Sequence, residues 1–131
     1  MQDNKDLDNV FEKLKSILSD FSPPFAVKTP SAALRNKRSY ELTSYKKVVI
    51  DGRPKDEVYF AGIIIQKNYV GFYYMLAYAN PEVRGQLHPE FIALLKGKSC
   101  FYIKNTDGLV LDQVKKALDI GLKKYKQKGW I

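Results

Sequence analysis

Residues 58–78, VYFAGIIIQKNYVGFYYMLAY, constrain the fold more than any other part of the chain. Their only charged residue is Lys67, and most of the others are β-branched or aromatic, the types that favour strands. Gln66-Lys67-Asn68 interrupts the segment, which predicts two antiparallel strands joined by a tight turn. Each strand is apolar on both sides, so at least one face of this hairpin must be covered.

A two-residue turn at Lys67-Asn68 would assign each side chain of the hairpin to a face. The face that we expect on the core comprises Tyr59, Ala61, Ile63, Ile65, Val70, Phe72, Tyr74 and Leu76. The other face has hollows at Gly62 and Gly71, rimmed by Phe60, Tyr69, Tyr73 and Met75. Such an aromatic surface suits a ligand or a partner, unless a loop such as residues 29–38 covers it. One more turn residue would exchange the two faces.

Helix and strand signals surround the hairpin. Apolar spacing and turn residues predict helices at 6–21, 81–87, 91–96 and 107–127, and further strands at 25–28, 40–50 and 99–104. The chain has no second core pattern or linker, which predicts a single α+β domain over residues 1–131. We expect an antiparallel sheet with the N- and C-terminal helices packed on one face, and two short helices before the last strand.

The net charge of +8 is concentrated in two segments. Residues 28–55 carry eight basic and two acidic side chains, and residues 96–128 carry nine and three. Basic segments of this kind suit anionic partners, although lysines also simply keep a small domain soluble. No apolar stretch reaches membrane-spanning length, and one cysteine excludes an internal disulfide, so we expect no membrane partner and a cytoplasmic location.

Residue types that carry catalysis are sparse. His88 is the only histidine, and its position before Pro89 favours a helix-capping role. Cys100 lies inside a predicted strand with no histidine near it in sequence, which favours a structural role. Gly97-Lys98-Ser99 lacks the upstream glycine and the following helix of a phosphate-binding loop. The sequence therefore favours a non-enzymatic protein.

Several motifs resemble a small bacterial family of unknown function, the YdhG-like domains. They are YFAG at 59–62, KNYVGFYYM at 67–75, NPE at 80–82, LHPEF at 87–91 and GKSCFYIK at 97–104. The resemblance implies an α+β fold and no established reaction. One branch of the family has been likened to frataxin-type iron chaperones, which handle iron with an acidic first helix. Here the first helix offers Asp3, Asp6, Asp8, Glu12 and Asp20, of which Asp8 and Glu12 would be the ligands. Lys5, Lys13 and Lys15 interrupt these acidic residues, and the chain as a whole is basic.

Two hypotheses follow. The first is a binding module that holds a small anionic ligand or a protein partner on the aromatic, basic sheet face, through Lys67, Tyr69, Tyr73, Lys98, Tyr102 and Lys104. The same face is a candidate for homodimer contact, and the module would need no cofactor. The second is a frataxin-like intracellular chaperone with iron held by Asp8 and Glu12. Binding of single-stranded nucleic acid by sheet tyrosines is a third and less favoured alternative, because no RNA-binding signature is present.

Overall fold

A computed structural model describes residues 2–22, 25–28, 39–76, 81–97 and 99–131, without the side chains of residues 2–6 and 28. The helices are α1 (Gln2–Ser19), α2 (Pro81–Arg84), α3 (Pro89–Ile92) and α4 (Gly108–Gln127). The strands are β1 (Ala26–Lys28), β2 (Ser39–Ser44), β3 (Val48–Ile50), β4 (Arg53–Lys55), β5 (Val58–Ile65), β6 (Val70–Tyr74), β7 (Leu95–Lys96) and β8 (Cys100–Ile103).

Six strands form one antiparallel sheet in the order β1-β2-β5-β6-β8-β7, and β3 and β4 form a separate hairpin. Both long helices pack on the same side of the sheet, which we call the inner face, and the opposite side is the outer face. This arrangement confirms the predicted α+β fold. None of the described helices is long and apolar enough to cross a membrane.

The inner face is held by apolar stripes on α1 and α4. The buried side chains of these stripes are Leu7, Val10, Phe11, Leu14, Ile17 and Leu18 on α1, and Val110, Val114, Ala117, Leu118 and Tyr125 on α4. The side chain of Asp107 caps α4 by accepting a hydrogen bond of 2.9 Å from the Val110 amide. Within the core, the hydroxyl of Tyr74 donates to the Ala117 carbonyl at 2.5 Å. These contacts fix α4 against β6.

The register of the central hairpin agrees with the sequence prediction. The Gln66 amide donates to the Tyr69 carbonyl at 2.8 Å, so Lys67 and Asn68 are the two turn residues. Beyond the turn, Gly62 pairs with Tyr73 and Ile64 with Gly71. Val70, Phe72 and Tyr74 are therefore directed into the core, as expected.

A β-bulge at Phe60 corrects the prediction for the start of β5. Leu42 pairs with Ala61 and Thr43 with Tyr59, so Phe60 is one extra residue opposite β2. Because of this extra residue, Phe60 and Tyr59 lie on the opposite faces of the sheet from those predicted. Phe60 is fully buried in the core, whereas Tyr59 lies on the outer face, the reverse of the prediction.

Two short strands were also missed. The predicted strand 40–50 is broken by residues 45–47, and β3 turns back into β4 through Asp51 and Gly52, which both have positive φ. This is the backbone of a tight hairpin turn, and proline is tolerated in β4 because a two-stranded hairpin has only edge strands.

The second missed strand follows α3. The predicted helix 91–96 is replaced by the end of α3 at Ile92 and by β7, whose Leu95 pairs with Phe101 at the edge of the sheet. Gly97, with φ of 74°, serves the turn after β7 rather than a helix cap.

Candidate functional site

Four partly exposed tyrosines lie on the outer face of the sheet: Tyr59, Tyr69, Tyr73 and Tyr102. We call them the tyrosine face. Tyr73 and Tyr102 lie outward because their neighbours along β6 and β8 are buried core residues. Tyr102 pairs with Gly71 across the two strands, and Tyr69 immediately precedes β6. The bulge at Phe60 adds Tyr59, so the tyrosine face extends over β5, β6 and β8.

The rings of Tyr69 and Tyr102 form a stacked pair. Their centroids are 3.8 Å apart and their planes are inclined by 7°. A hydrogen bond between the two hydroxyls, followed by burial, raises the pKa of Tyr69 to about 12. Tyr69 is therefore uncharged at neutral pH, and the pair presents an ordered aromatic surface toward solvent.

Tyr73 lies along the sheet over Gly71. Its Cε1 atom is 2.8 Å from the position that a Cβ on Gly71 would take, and the Sγ atom of Cys100 is 3.2 Å from the same point. Burial, followed by a hydrogen bond to Cys100, raises the pKa of Tyr73. Burial also raises the pKa of the Cys100 thiol, which keeps it protonated and lowers its nucleophilicity.

Tyr59 lies over Gly62 in a similar way. Its hydroxyl occupies the space of a Cβ on Gly62 and donates to the Glu41 carboxylate at 3.4 Å. Burial, followed by the charge of Glu41, raises the pKa of Tyr59. Glu41 thus places a carboxylate beside Tyr59 at this end of the tyrosine face.

The hollows predicted at Gly62 and Gly71 are filled by these two tyrosine rings. Because each glycine lacks a side chain, the neighbouring tyrosine folds down onto the sheet instead of standing away from it. The predicted rim is also partly wrong, since Phe60 belongs to the core. The outer face is therefore covered by tyrosine side chains at the two glycines and has no hollow there. Residues 29–38, the predicted alternative cover, lie outside the described part of the chain.

Lysines surround the tyrosine face on the side away from Glu41. Lys67 is exposed in the β5–β6 turn next to Tyr69, and Lys104 is exposed directly after β8. Lys96 is exposed on β7 and pairs with Cys100, which places it on the outer face. Lys98, the third predicted cation, lies outside the described residues.

Sequence reasoning missed two members of this site. Tyr59 was assigned to the core because the bulge at Phe60 leaves no signal in the alternation of residues. Lys96 was assigned to a helix, although its separation of four residues from Cys100 around Gly97 is that of a tight hairpin. Of the six predicted site residues, the structure brings Tyr69, Tyr73 and Tyr102 together and places Lys67 and Lys104 at their margin.

A cavity of about 350 Å³ opens beside the tyrosine face. It lies between α3, β8 and the first turn of α4, and Tyr102 and Lys104 belong to its wall. Lys96 joins them there, opposite the acidic side chains Glu90 and Asp107. The cavity extends the lysine side of the tyrosine face around the edge of the sheet.

A second cavity, of about 660 Å³, lies at the other end of β5. Its apolar and aromatic lining includes Val58, Tyr59, Met75, Leu76 and Trp130. Its charged lining residues are Asp51, Lys55, Glu57 and Lys128. The Lys128 ammonium is 5.2 Å from the centre of the Trp130 ring. The second cavity therefore carries two charges of each sign, as does the lining of the first cavity.

The remaining chemical candidates lie elsewhere. His88 caps α3, and its Nδ1 atom accepts a hydrogen bond of 3.1 Å from the Glu90 amide, which confirms the predicted capping role. Asp8 and Glu12 are exposed one turn apart on α1. The described side chains include no group of three or more His, Cys, Asp or Glu that could hold a metal ion. The iron hypothesis for Asp8 and Glu12 stays a prediction.

Searches against protein-family models, curated proteins and solved structures found no match to this chain. The resemblance to YdhG-like domains therefore stays a hypothesis.

Proposed function

We propose that this chain is a binding module that holds an anionic ligand with a flat unsaturated ring on the tyrosine face. The observation that carries the proposal is the stacked pair of Tyr69 and Tyr102 on the solvent side of the sheet. Large aromatic side chains on a surface that none of the described helices covers are favourable for binding but costly to leave in water. A ligand ring that continues the stack would offset this cost.

The geometry of the pair favours a flat ring over an aliphatic group. Two rings inclined by only 7°, with centroids 3.8 Å apart, are already ordered by their contact. A third ring can stack on such a pair without ordering either tyrosine first, which lowers the entropic cost of binding. Aromatic stacking of this kind contributes about 0.5–1.5 kcal/mol beyond the area that it buries.

The charges favour an anion. Lys67, Lys96 and Lys104 are all exposed beside the rings, and the whole chain carries a net charge of +8. Glu41 lies at the opposite end, next to Tyr59. An anionic group is therefore attracted to the side of β8 and the β5–β6 turn, where the stacked pair also lies.

The proposal is tested with adenosine 5′-monophosphate as a probe that has both a ring and a charge. Ribose 5-phosphate keeps the charge without the ring, and adenosine keeps the ring without the charge. We expect backbone NMR shifts at Tyr69, Tyr102 and Lys104 with the monophosphate, and much weaker shifts with either half. Tyr69→Ala should abolish them, whereas Tyr45→Ala, which removes a half-exposed tyrosine between β2 and β3, should not.

Two results would overturn the proposal. Equal shifts with ribose 5-phosphate would reduce the site to attraction by net charge. A dimer that dissociates on the Tyr69→Ala substitution, detected by sedimentation, would assign the face to self-association instead. The Tyr69→Ala substitution should not disturb the fold, because Tyr69 lies on the solvent side of the sheet.

A further inference from the structure

We infer that the ligand of the tyrosine face is a single-stranded nucleic acid bound over a few nucleotides. This inference rests on the proposed function and names its ligand class. The feature that carries it is the extent of the aromatic surface. A single small ring needs only the Tyr69–Tyr102 pair, but the rings continue from that pair to Tyr73 and then to Tyr59.

The continuity of these rings follows from the register of the strands. Tyr102 pairs with Gly71, and Tyr73 lies over the same glycine. On the next strand, Gly62 pairs with Tyr73, and Tyr59 lies over Gly62. Each step crosses one strand spacing, about 4.8 Å. Successive bases of a flexible strand can therefore contact the stacked pair, then Tyr73 and then Tyr59.

The rings suit bases that are free of a duplex. Tyr59 and Tyr73 lie along the sheet over Gly62 and Gly71, and the two long helices, α1 and α4, pack on the opposite, inner face. A base inside a duplex has both of its faces covered by its neighbours, so only an unpaired strand can offer them. Stacking also tolerates every base, which predicts weak sequence preference.

The positions of the lysines indicate where the phosphates of a bound nucleic acid would lie. Lys67 is next to Tyr69, Lys96 and Lys104 lie on the β7–β8 side, and the carboxylate of Glu41 accepts a hydrogen bond from Tyr59 at the other end of the tyrosine face. The phosphates of the bound strand should therefore be held near β7 and β8. Contacts with three phosphates predict a salt slope of about −2, at about −0.7 for each contact in single strands.

The test measures binding of fluorescein-labelled oligothymidylates of increasing length by fluorescence anisotropy. We expect affinity to rise steeply from the mononucleotide to about four nucleotides and then to level off, since the rings cover only a few bases. A hairpin duplex and inorganic polyphosphate of matched charge should bind more weakly than the single strand.

Substitutions separate stacking from charge. Tyr102→Ala should weaken binding by about fivefold or more, whereas Tyr102→Phe, which keeps the ring, should retain it. Lys67→Ala with Lys104→Ala should reduce the salt slope by about 1.4. Lys115→Ala with Lys116→Ala removes two exposed charges from α4 and should leave the slope unchanged. Thermal unfolding of each variant checks that the fold is kept.

The outcomes distinguish this inference from the proposed function. Binding of adenosine 5′-monophosphate that does not tighten with oligonucleotide length would overturn the nucleic-acid inference and leave the proposed function standing. Tighter binding of the duplex than of the single strand would also overturn it. Insensitivity to Tyr102→Ala, together with equal losses from both lysine pairs, would overturn the inference and the proposed function.

Discussion

The ring of Phe60 occupies the space that a side chain on Gly121 would need. Its Cε1 atom lies 2.6 Å from the ideal Cβ position on that glycine, closer than real Cβ contacts allow. The bulge in β5 sends Phe60 inward, and the glycine in α4 receives it. Helix and sheet thus approach each other closely at this point, and the Tyr74 hydroxyl, 3.0 Å from the same position, completes the contact.

Gly121→Ala should destabilise the protein even though alanine is the better helix former. Overpacking costs about 1–3 kcal/mol, and the gain in helix propensity returns at most about 1 kcal/mol. Gly108→Ala is the matched control, because nothing lies within 4 Å of its Cβ position. Urea denaturation measures both free energies of unfolding. Greater stability of the Gly121 variant would show that Phe60 can move aside without cost.

Leu118→Ala should cost about 2–5 kcal/mol, because this side chain is fully buried between α4 and the sheet. Leu111→Ala, at a partly buried position on the same helix, should cost less. The comparison again uses urea denaturation. A loss below about 1 kcal/mol for Leu118→Ala would contradict the burial of a full leucine side chain.

Stability should fall at alkaline pH. Burial raises the pKa of Tyr74 and Tyr125 above the value of about 10 for a tyrosine in the unfolded chain. The folded state therefore keeps protons that the unfolded state releases. Their contribution is complete below about pH 10 and is lost as the pH rises toward the folded pKa. The free energy of unfolding, measured in urea from about pH 8 to pH 11, should decline above pH 10.

The Tyr125→Phe variant isolates one of these phenols. It also loses the hydrogen bond of 2.6 Å to the Tyr59 carbonyl, so its stability at neutral pH should be lower. Its decline with pH should nevertheless be shallower than that of the original protein. An identical decline would mean that Tyr125 releases its proton at the same pH in both states.

Cys100 should react slowly with thiol reagents in the folded protein. Its side chain is half-buried beside Tyr73, and burial raises the pKa of the thiol, so little thiolate is present at neutral pH. Labelling with a chromogenic disulfide should be slower than in urea-unfolded protein. Tyr73→Ala should accelerate it in the folded state. Equal rates for folded and unfolded protein would contradict the structural role.

Local turn chemistry made the central hairpin predictable. Lys67-Asn68 sets a two-residue turn, and once the turn is fixed, alternation assigns every residue from Ala61 to Tyr74 to its face. The bulge at Phe60 could not be found in this way. The bulge directs Phe60 into contact with Gly121, which is distant in sequence, so the local alternation of residues does not reveal it.

The edge strands were harder to predict for a different reason. A strand of two residues, Leu95 and Lys96, is too short to show alternation. The helix propensity of these residues is overridden by their pairing with Phe101 and Cys100. The site followed the same pattern. Tyr69, Tyr73 and Tyr102 were identified from alternation, whereas Lys96 and Tyr59 required the observed register.

The contacts at Gly62 and Gly71 have a consequence for sequence variation among any relatives of this protein. Tyr59 occupies the space that a side chain on Gly62 would fill, and Tyr73 occupies the corresponding space at Gly71. A side chain at either glycine would displace the tyrosine that lies over it. If the tyrosine were replaced by a small residue, a side chain at the glycine position would no longer clash with it. Positions 59 and 62 should therefore covary, as should positions 71 and 73. In a relative without the tyrosine face, both the tyrosine and the glycine of a pair should be replaced.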